Sequence, residues 1–287
     1  MGRARLARLH WRVPLHFVVF RMRLLPATLL ALLLLQDATA RAAENRDCPA
    51  AVLAVLGRAL KVAHFAPSPN DFGKDPAGVV LASSCRRMPD DPRLTLAAAA
   101  WDAHEEDAKS LAVAIVDEAA GSVVALESER IDEDPTMRVN NGSLRLDTAP
   151  YLLAPGVRAF GLDVFGDDAS CGDGGLGPRR TLYVREGRVL RPVLAGLTIG
   201  EYTWLQGNQP RCSPPDDKAP AISESYDVTI GLGEPGREGW RDLALTVTPR
   251  RDDRKPSRLK PLHVRVPYDG HGYALDAFDK ARAQWRK

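Results

Sequence analysis

The sequence predicts a mainly β protein: an antiparallel sandwich, barrel or propeller-like fold with a short helix near each end of the mature chain. Many short segments alternate apolar and polar residues with a period of two, which is typical of strands that bury one face. Turn-forming residues separate these segments, and no helical pattern of ten or more residues lies between them, which excludes a parallel α/β sheet. The irregular spacing of the segments leaves the choice among the three architectures open.

Residues 1–42 are predicted to be a signal peptide that is removed on export. Six arginines precede a twelve-residue apolar run, Leu24–Leu35, and small residues after it offer cleavage behind Ala40 or Ala42. A membrane-spanning helix needs about 20 apolar residues, so a stable membrane anchor is not expected. Met22, just before the apolar run, is an alternative start of translation.

Residues 43–287 are predicted to be a single β-rich globular domain in the periplasm or the extracellular medium. Residues 1–42 hold seven arginines and one aspartate, so the mature part keeps 32 of the 39 basic and 36 of the 37 acidic side chains, a net charge of −4. A nucleic-acid partner is not expected, because it would require a basic face. Arginines outnumber lysines 31 to 8, which suggests a GC-rich bacterial genome.

The elements of the mature domain follow in order from these patterns. Pro49–His64 places its apolar residues on one helical face. Three hairpins are predicted: one with the arms Leu111–Ile115 and Ser122–Glu129, one across Glu186-Gly187 and one at Asn141-Gly142. The remaining alternating segments predict four strands and then a C-terminal amphipathic helix: Phe160–Val164, Tyr226–Ile230, Leu243–Val247, Leu262–Val266 and Leu275–Trp285.

All four cysteines follow the predicted leader: Cys48, Cys85, Cys171 and Cys212. An even number of cysteines in an exported chain predicts disulfide bonds. Three pairings are possible, and we favour Cys48–Cys85 with Cys171–Cys212 because each closes a modest loop between sequence neighbours. A zinc site is disfavoured because it requires close cysteine pairs with histidine partners, whereas the nearest two cysteines are 37 residues apart.

Several short motifs suggest cofactor or metal binding but lack the required context. Gly172–Gly177 and Gly231–Gly236 both match G-x-G-x-x-G, yet neither precedes a helix whose N-terminus could bind a pyrophosphate. Both are interpreted as turns, and no cofactor is expected. His104–Ala108 has one histidine where a zinc-protease motif needs two. No metal is expected, because EF-hand spacing is absent from the loop aspartates Asp167, Asp168 and Asp173.

No assembled catalytic set is recognised, and no serine occupies a G-x-S-x-G elbow. If the domain were a hydrolase, paired carboxylates would be the candidates. The pairs that the sequence offers are Asp163 with Asp167 and Asp173 near a strand end, and Asp102 with Glu105. The large aromatic residues that a sugar-stacking platform would use are interpreted as core or edge residues: Trp101, Trp204 and Trp240.

Three segments resemble exported proteins of Gram-negative bacteria that have no known activity. They are Cys85–Thr95, Leu146–Gly161 and Leu182–Leu194, which lie within a span of roughly the middle 110 residues of the chain. These proteins tend to have a tryptophan where this chain has Met88. The resemblance implies no activity, cofactor or site residue.

The sequence therefore predicts an exported, non-enzymatic binding or interaction domain whose partner is an envelope protein or a cell-wall component. The basis is a disulfide-tied β scaffold in which no catalytic set is assembled. Two alternatives stay open. One is a secreted hydrolase that uses paired carboxylates, and the other is an enzyme inhibitor that presents the Cys171–Cys212 loop.

Overall fold

A computed structural model describes residues 46–67, 76–134, 137–166, 174–206 and 221–286. The described chain is mainly β with two short helices, as predicted. In chain order the elements are α1 Ala50–Leu60, β1 Val80–Arg87, β2 Leu94–Trp101, β3 Ala108–Asp117, β4 Ser122–Asp132, β5 Leu144–Ala154, β6 Val157–Val164, β7 Gly174–Leu176, β8 Arg179–Glu186, β9 Val189–Thr198, β10 Gly200–Gln206, β11 Ile222–Pro235, β12 Arg241–Arg251, β13 Leu262–Val266 and α2 Asp276–Trp285.

The larger sheet is a curled half-barrel of eight strands in the order β1-β2-β3-β4-β9-β8-β6-β5. Neighbouring strands are antiparallel except β4 and β9, which a single parallel bridge joins, Leu126 with Val189. The two edge strands approach each other, and Arg86 of β1 donates a hydrogen bond of 3.3 Å to the carbonyl of Leu146 on β5. The sheet therefore curls far enough for its edges to touch, and it is weakly joined between β4 and β9.

The smaller sheet has five antiparallel strands in the order β13-β12-β11-β10-β7. Tyr226 and Val228 of β11 share its buried face with Leu243, Leu245 and Val247 of β12. The same buried cluster contains side chains from β8 and β9 of the larger sheet. The smaller sheet therefore packs on the outside of one half of the larger one.

Alternate residues of the larger sheet lie in two different cores. Leu111, Val113 and Ile115 of β3 belong to a cluster that draws on all eight strands and fills the inside of the curl. The intervening Ala112 and Ala114 pack on the outside, in a cluster that includes the buried side of α1. The expectation of one buried and one wetted face is wrong for these strands, because α1 and the smaller sheet cover the outside.

Both predicted helices are confirmed, with different ends. α1 stops at Leu60 instead of continuing to residue 64, because Lys61 adopts a left-handed conformation with φ of 58°. Gly57 is required inside this helix: a Cβ at that position would lie 2.7 Å from the Cβ of Phe65. The C-terminal helix α2 begins at Asp276 and buries Phe278 completely.

Two of the three predicted hairpins are confirmed, namely β3–β4 and β8–β9. The hairpin at Asn141-Gly142 is wrong. Gly142 does lie in a turn with φ of 90°, but the flanking strands β4 and β5 are not neighbours in the sheet. Met137 and Val139 precede the turn and are buried in the inner cluster, so the connection is anchored there before β5 begins.

Both glycine-rich motifs lie in strands in the described part of the chain, so their interpretation as turns is wrong. Gly231–Pro235 forms the end of β11, and Gly174–Leu176 forms the short strand β7. A Cβ on Gly174 would lie 2.2 Å from the carbonyl oxygen of Tyr202 on β10. The glycine therefore allows a close pairing of strands and is not explained by a bound phosphate.

Cys48 and Cys85 form a disulfide bond, as the favoured pairing predicts. Both residues are buried, and the bond ties the start of α1 to β1. Backbone hydrogen bonds between Arg46 and Cys85 run beside it. Cys171 and Cys212 lie outside the described residues, so their pairing stays a prediction.

Candidate functional site

The predicted catalytic carboxylate Asp163 is fully occupied by structural partners. Its side chain is completely buried and accepts hydrogen bonds from Arg180 Nε at 2.6 Å and from Arg145 Nη2 at 2.9 Å. Arg180 also forms an ion pair of 2.7 Å with Asp147, and the Tyr151 hydroxyl donates a hydrogen bond of 2.8 Å to the Asp147 carboxylate. This network joins β5, β6 and β8 and leaves Asp163 no free oxygen for catalysis. Its predicted companions, Asp167 and Asp173, lie outside the described residues.

Asp102 and Glu105, the other predicted pair, lie in the exposed connection between β2 and β3. Asp102 accepts a hydrogen bond from the backbone N–H of His104 at 2.8 Å and pairs with Lys109 at 3.5 Å. Glu105 pairs with a different cation, Arg130, at 3.5 Å. The two carboxylates stabilise the turn and the adjoining strands through separate partners.

The three tryptophans do not share one surface. Trp101 is buried on the outside of the larger sheet and packs edge-to-face with Phe65. Trp240 stacks on Tyr268 at a ring distance of 4.2 Å, at one end of β12. Trp204 lies on β10, where it contacts Tyr202. Trp101 and Trp240 pack in or against buried clusters, as predicted.

Most buried carboxylates in the described part of the chain have a cation or several hydrogen-bond donors. Glu133 accepts from the backbone N–H of Val139 at 2.7 Å and lies 3.5 Å from the Lys109 ammonium group. Asp242 pairs with Arg265, and Glu201 lies between the side chains of Tyr226, Arg282 and Arg286. A buried charge is tolerated because such partners offset its lost hydration.

Glu129 is the exception. Its Oε1 atom is buried, and it has no hydrogen-bond partner within the usual limits of distance and angle. The hydroxyl of Tyr183, whose side chain is completely buried, also lacks a partner within these limits, and the two groups lie close enough to act on each other's pKa. Among the described residues Glu129 forms no ion pair. Unsatisfied buried polar atoms are rare in folded proteins, and they require an explanation such as a bound ligand.

The strand pairing places these groups on the inner face of the curl. Glu127 and Glu129 of β4 lie opposite Val113 and Leu111 of β3, which are buried in the inner cluster. Tyr183 reaches the same cluster from β8 and stacks on Phe160 at 5.8 Å between ring centres. We refer to Glu127, Glu129 and Tyr183 as the Glu129 site.

The Glu129 site lies where β4 separates from β9. The bridge between Leu126 and Val189 is immediately before it, and the backbone N–H of Leu126 donates to Arg188 at 3.1 Å. Beyond this point the described residues of the two strands form no further ladder. Glu127 and Glu129 are each partly exposed, so part of each side chain contacts solvent.

The electrostatics of the site follow from burial without a counter-charge. Burial raises the pKa of Glu129 above its ordinary value of 4.5, although the Tyr183 hydroxyl acts in the opposite direction, and the neighbouring Glu127 raises the pKa further. Burial also raises the pKa of Tyr183, and the Glu129 carboxylate adds to that effect. Carboxyl groups whose pKa is shifted by burial and a neighbouring charge are found more often at binding and catalytic sites than elsewhere.

Sequence reasoning missed this site, although a signal was present. From Ala125 to Ile131 the residues on the inner face alternate as Ala125, Glu127, Glu129 and Ile131, so two acidic residues occupy positions that the strand pattern assigns to the core. Their partner Tyr183 lies 54 residues away, on a strand that is not adjacent to β4. No local pattern connects the two strands.

No helix among the described residues is long and apolar enough to cross a membrane. Comparisons with protein-family models, with curated proteins and with solved structures find no match to this chain.

Proposed function

We propose that the chain is an exported binding domain that works in the periplasm or the extracellular medium and holds its ligand at the Glu129 site. The observation that carries the proposal is the partly buried Glu129 carboxylate, which lies beside Glu127 and the Tyr183 hydroxyl and has no cation as a partner among the described residues. A bound ligand would supply the missing partner. Other buried carboxylates of the described residues are already paired within the fold.

Export is supported by two features. The leader has the composition of a signal peptide, and the Cys48–Cys85 disulfide is compatible with maturation in an oxidising compartment. Fractionation of cells that express the full chain tests this part. We expect the processed protein in the periplasm or medium with Cys48 and Cys85 oxidised. An unprocessed cytosolic protein with reduced cysteines would contradict it.

The binding role is tested on protein purified after export, by measuring its melting temperature with and without a small-molecule filtrate of periplasm. We expect the filtrate to raise the melting temperature of the wild type but not of Glu129→Gln. Asp132→Asn is a matched control on the same strand, since the Asp132 side chain is 79% exposed and lies outside the site. Equal responses of the wild type and Glu129→Gln would refute binding at the Glu129 site.

A hydrolase with paired carboxylates is the second candidate function. Its carboxylates would be Glu127 and Glu129 and not the pairs that the sequence suggests. Glu127 and Glu129 are two positions apart on one strand face, a separation of about 7 Å along the backbone, and glycosidase carboxylates lie about 5–10 Å apart. The raised pKa of Glu129 would suit a general acid. Release of reducing sugar from cell-wall glycan by the wild type, but not by Glu127→Gln or Glu129→Gln, would favour this candidate over simple binding.

A further inference from the structure

The chemistry of the Glu129 site specifies the charge of its ligand. The site presents two carboxylates, and no arginine, lysine or histidine is among the groups that act on the pKa of Glu129. Removing one carboxylate from water without a counter-charge is unfavourable, and placing two beside each other adds repulsion. A cation therefore gains more from this site than a neutral or an anionic ligand does.

The number and type of hydrogen-bond acceptors indicate which class of cation fits the site. Glu127, Glu129 and the Tyr183 hydroxyl approach from two strands and supply three acceptor groups, which match the three N–H donors of a primary ammonium group. A guanidinium group is planar and is best bound by a carboxylate that lies flat against its fork. Acceptors that converge from β4 and β8 favour the compact, rotatable ammonium.

The surroundings of the carboxylates favour an ammonium group on an alkyl chain. The strand pairing flanks Glu127 and Glu129 with Val113 and Leu111, and Leu190 of β9 belongs to the same buried cluster. Val189, beside the gap between β4 and β9, is half exposed. Apolar surface next to a charge-binding group contributes by removing alkyl carbons from water.

We propose that the Glu129 site binds a primary alkylammonium group, presented either by a free aliphatic amine or by a lysine side chain of a peptide. This inference rests on the proposed binding function and adds the class of ligand. The Glu129 carboxylate balances the positive charge, Glu127 and the Tyr183 hydroxyl accept the other two N–H donors, and the apolar residues along the gap contact the alkyl chain.

Calorimetric titration of the exported, processed protein with pentylammonium chloride tests the proposal. We expect binding that is at least about tenfold stronger than that of pentan-1-ol, which has the same alkyl chain without the charge, because hydrogen bonds to charged groups are the stronger ones. Pentylguanidinium is expected to bind more weakly than pentylammonium. Binding of the alcohol or the guanidinium at least as strongly as the amine would overturn the assignment.

Variants assign the binding to the proposed groups. Glu129→Gln is expected to weaken pentylammonium binding at least about tenfold, because it removes a hydrogen bond to a charged acceptor. Tyr183→Phe is expected to weaken it about fivefold, because it removes a hydrogen bond to a neutral acceptor. Asp132→Asn, with its exposed side chain, is expected to bind like the wild type. Circular dichroism establishes that each variant is folded. Unchanged binding by folded Glu129→Gln would overturn the proposal.

A parallel titration with N-acetyl-lysine amide separates the two sources of the ammonium group. Stronger binding of the free amine supports a small-molecule ligand, and stronger binding of the lysine derivative supports a peptide. Failure of both amines, combined with a periplasmic filtrate response that Glu129→Gln abolishes, would overturn the ammonium assignment while the binding function stands. If the protein bound calcium through Glu129 but bound neither amine, the ammonium assignment would likewise be overturned while the binding function stands.

Discussion

Replacing Glu129 by glutamine is expected to stabilise the ligand-free protein at neutral and alkaline pH. Burial and the nearby Glu127 raise the pKa of this carboxyl group, so its ionised form is disfavoured in the folded state relative to the unfolded state. A buried group that lacks a partner costs about 1–3 kcal/mol. Glutamine still leaves polar atoms at the site, and for that reason we expect it to recover only about 1 kcal/mol of this cost.

The gain in stability must depend on pH. The pKa of Glu129 is higher in the folded protein than its ordinary value, so the favourable contribution of the protonated group is complete below the unfolded-state pKa and is lost as pH rises through the folded-state pKa. Glu129→Gln cannot ionise, so the variant does not lose this stability as pH rises. The variant and the wild type should therefore differ least at about pH 4 and most at about pH 8.

Urea unfolding at acidic, neutral and alkaline pH measures the effect, and thermal unfolding supports it. A gain of about 1 kcal/mol corresponds to about 2–4 °C in melting temperature for a domain of this size. Glu105→Gln is the matched control, because the Glu105 side chain is 51% exposed and is expected to change stability by less than about 0.5 kcal/mol. A destabilised Glu129→Gln at alkaline pH, or a difference that does not vary with pH, would refute the reasoning.

The other predictions concern parts of the scaffold that are fully satisfied. Asp163→Asn should lower the free energy of unfolding by about 1–3 kcal/mol in a denaturant titration, since it removes the buried charge that two arginines share, although Arg180 keeps Asp147 as a partner; an unchanged free energy of unfolding would contradict this. Replacing Cys48 and Cys85 by alanine should cost about 4 kcal/mol by the chain-entropy relation for their 37-residue separation, and equal stability of oxidised and reduced protein would argue against it. Phe278→Ala should cost about 3–5 kcal/mol by calorimetry, because the ring is completely buried beneath α2; an unchanged melting temperature would show that α2 does not stabilise the sheet.

The strands were predictable from local patterns, because alternation depends only on neighbouring residues. Leu111–Ile115, Tyr226–Ile230 and Leu243–Val247 all lie in strands of the structure. The order of the strands was not predictable, because it depends on contacts between distant segments. The parallel bridge between Leu126 and Val189 joins two hairpins that are far apart in sequence. The pairing of β4 with β9 ends at this bridge, and the gap beside the Glu129 site begins there.

The candidate site was predictable only in part. The carboxylates that the sequence favoured lie near turns or strand ends, where acidic residues are easily noticed, and Asp163 proved to be a structural residue bound by two arginines. Glu127 and Glu129 lie in the middle of a strand, where alternation with Ala125 and Ile131 places them on the core face but does not show which other groups reach them. Their significance depends on Tyr183, which the fold brings to them from another hairpin.

The most direct test of the account is an NMR pH titration of the Glu129 side-chain carboxyl carbon in the ligand-free protein, assigned by its absence from the Glu129→Gln spectrum. We expect a titration midpoint above the ordinary glutamate pKa of 4.5, because the group is buried beside Tyr183 and Glu127 without a cation. We further expect that pentylammonium lowers this midpoint. A midpoint at or below 4.5 in the free protein would show that the carboxylate already has a partner within the fold, and this result would contradict a ligand site at Glu129.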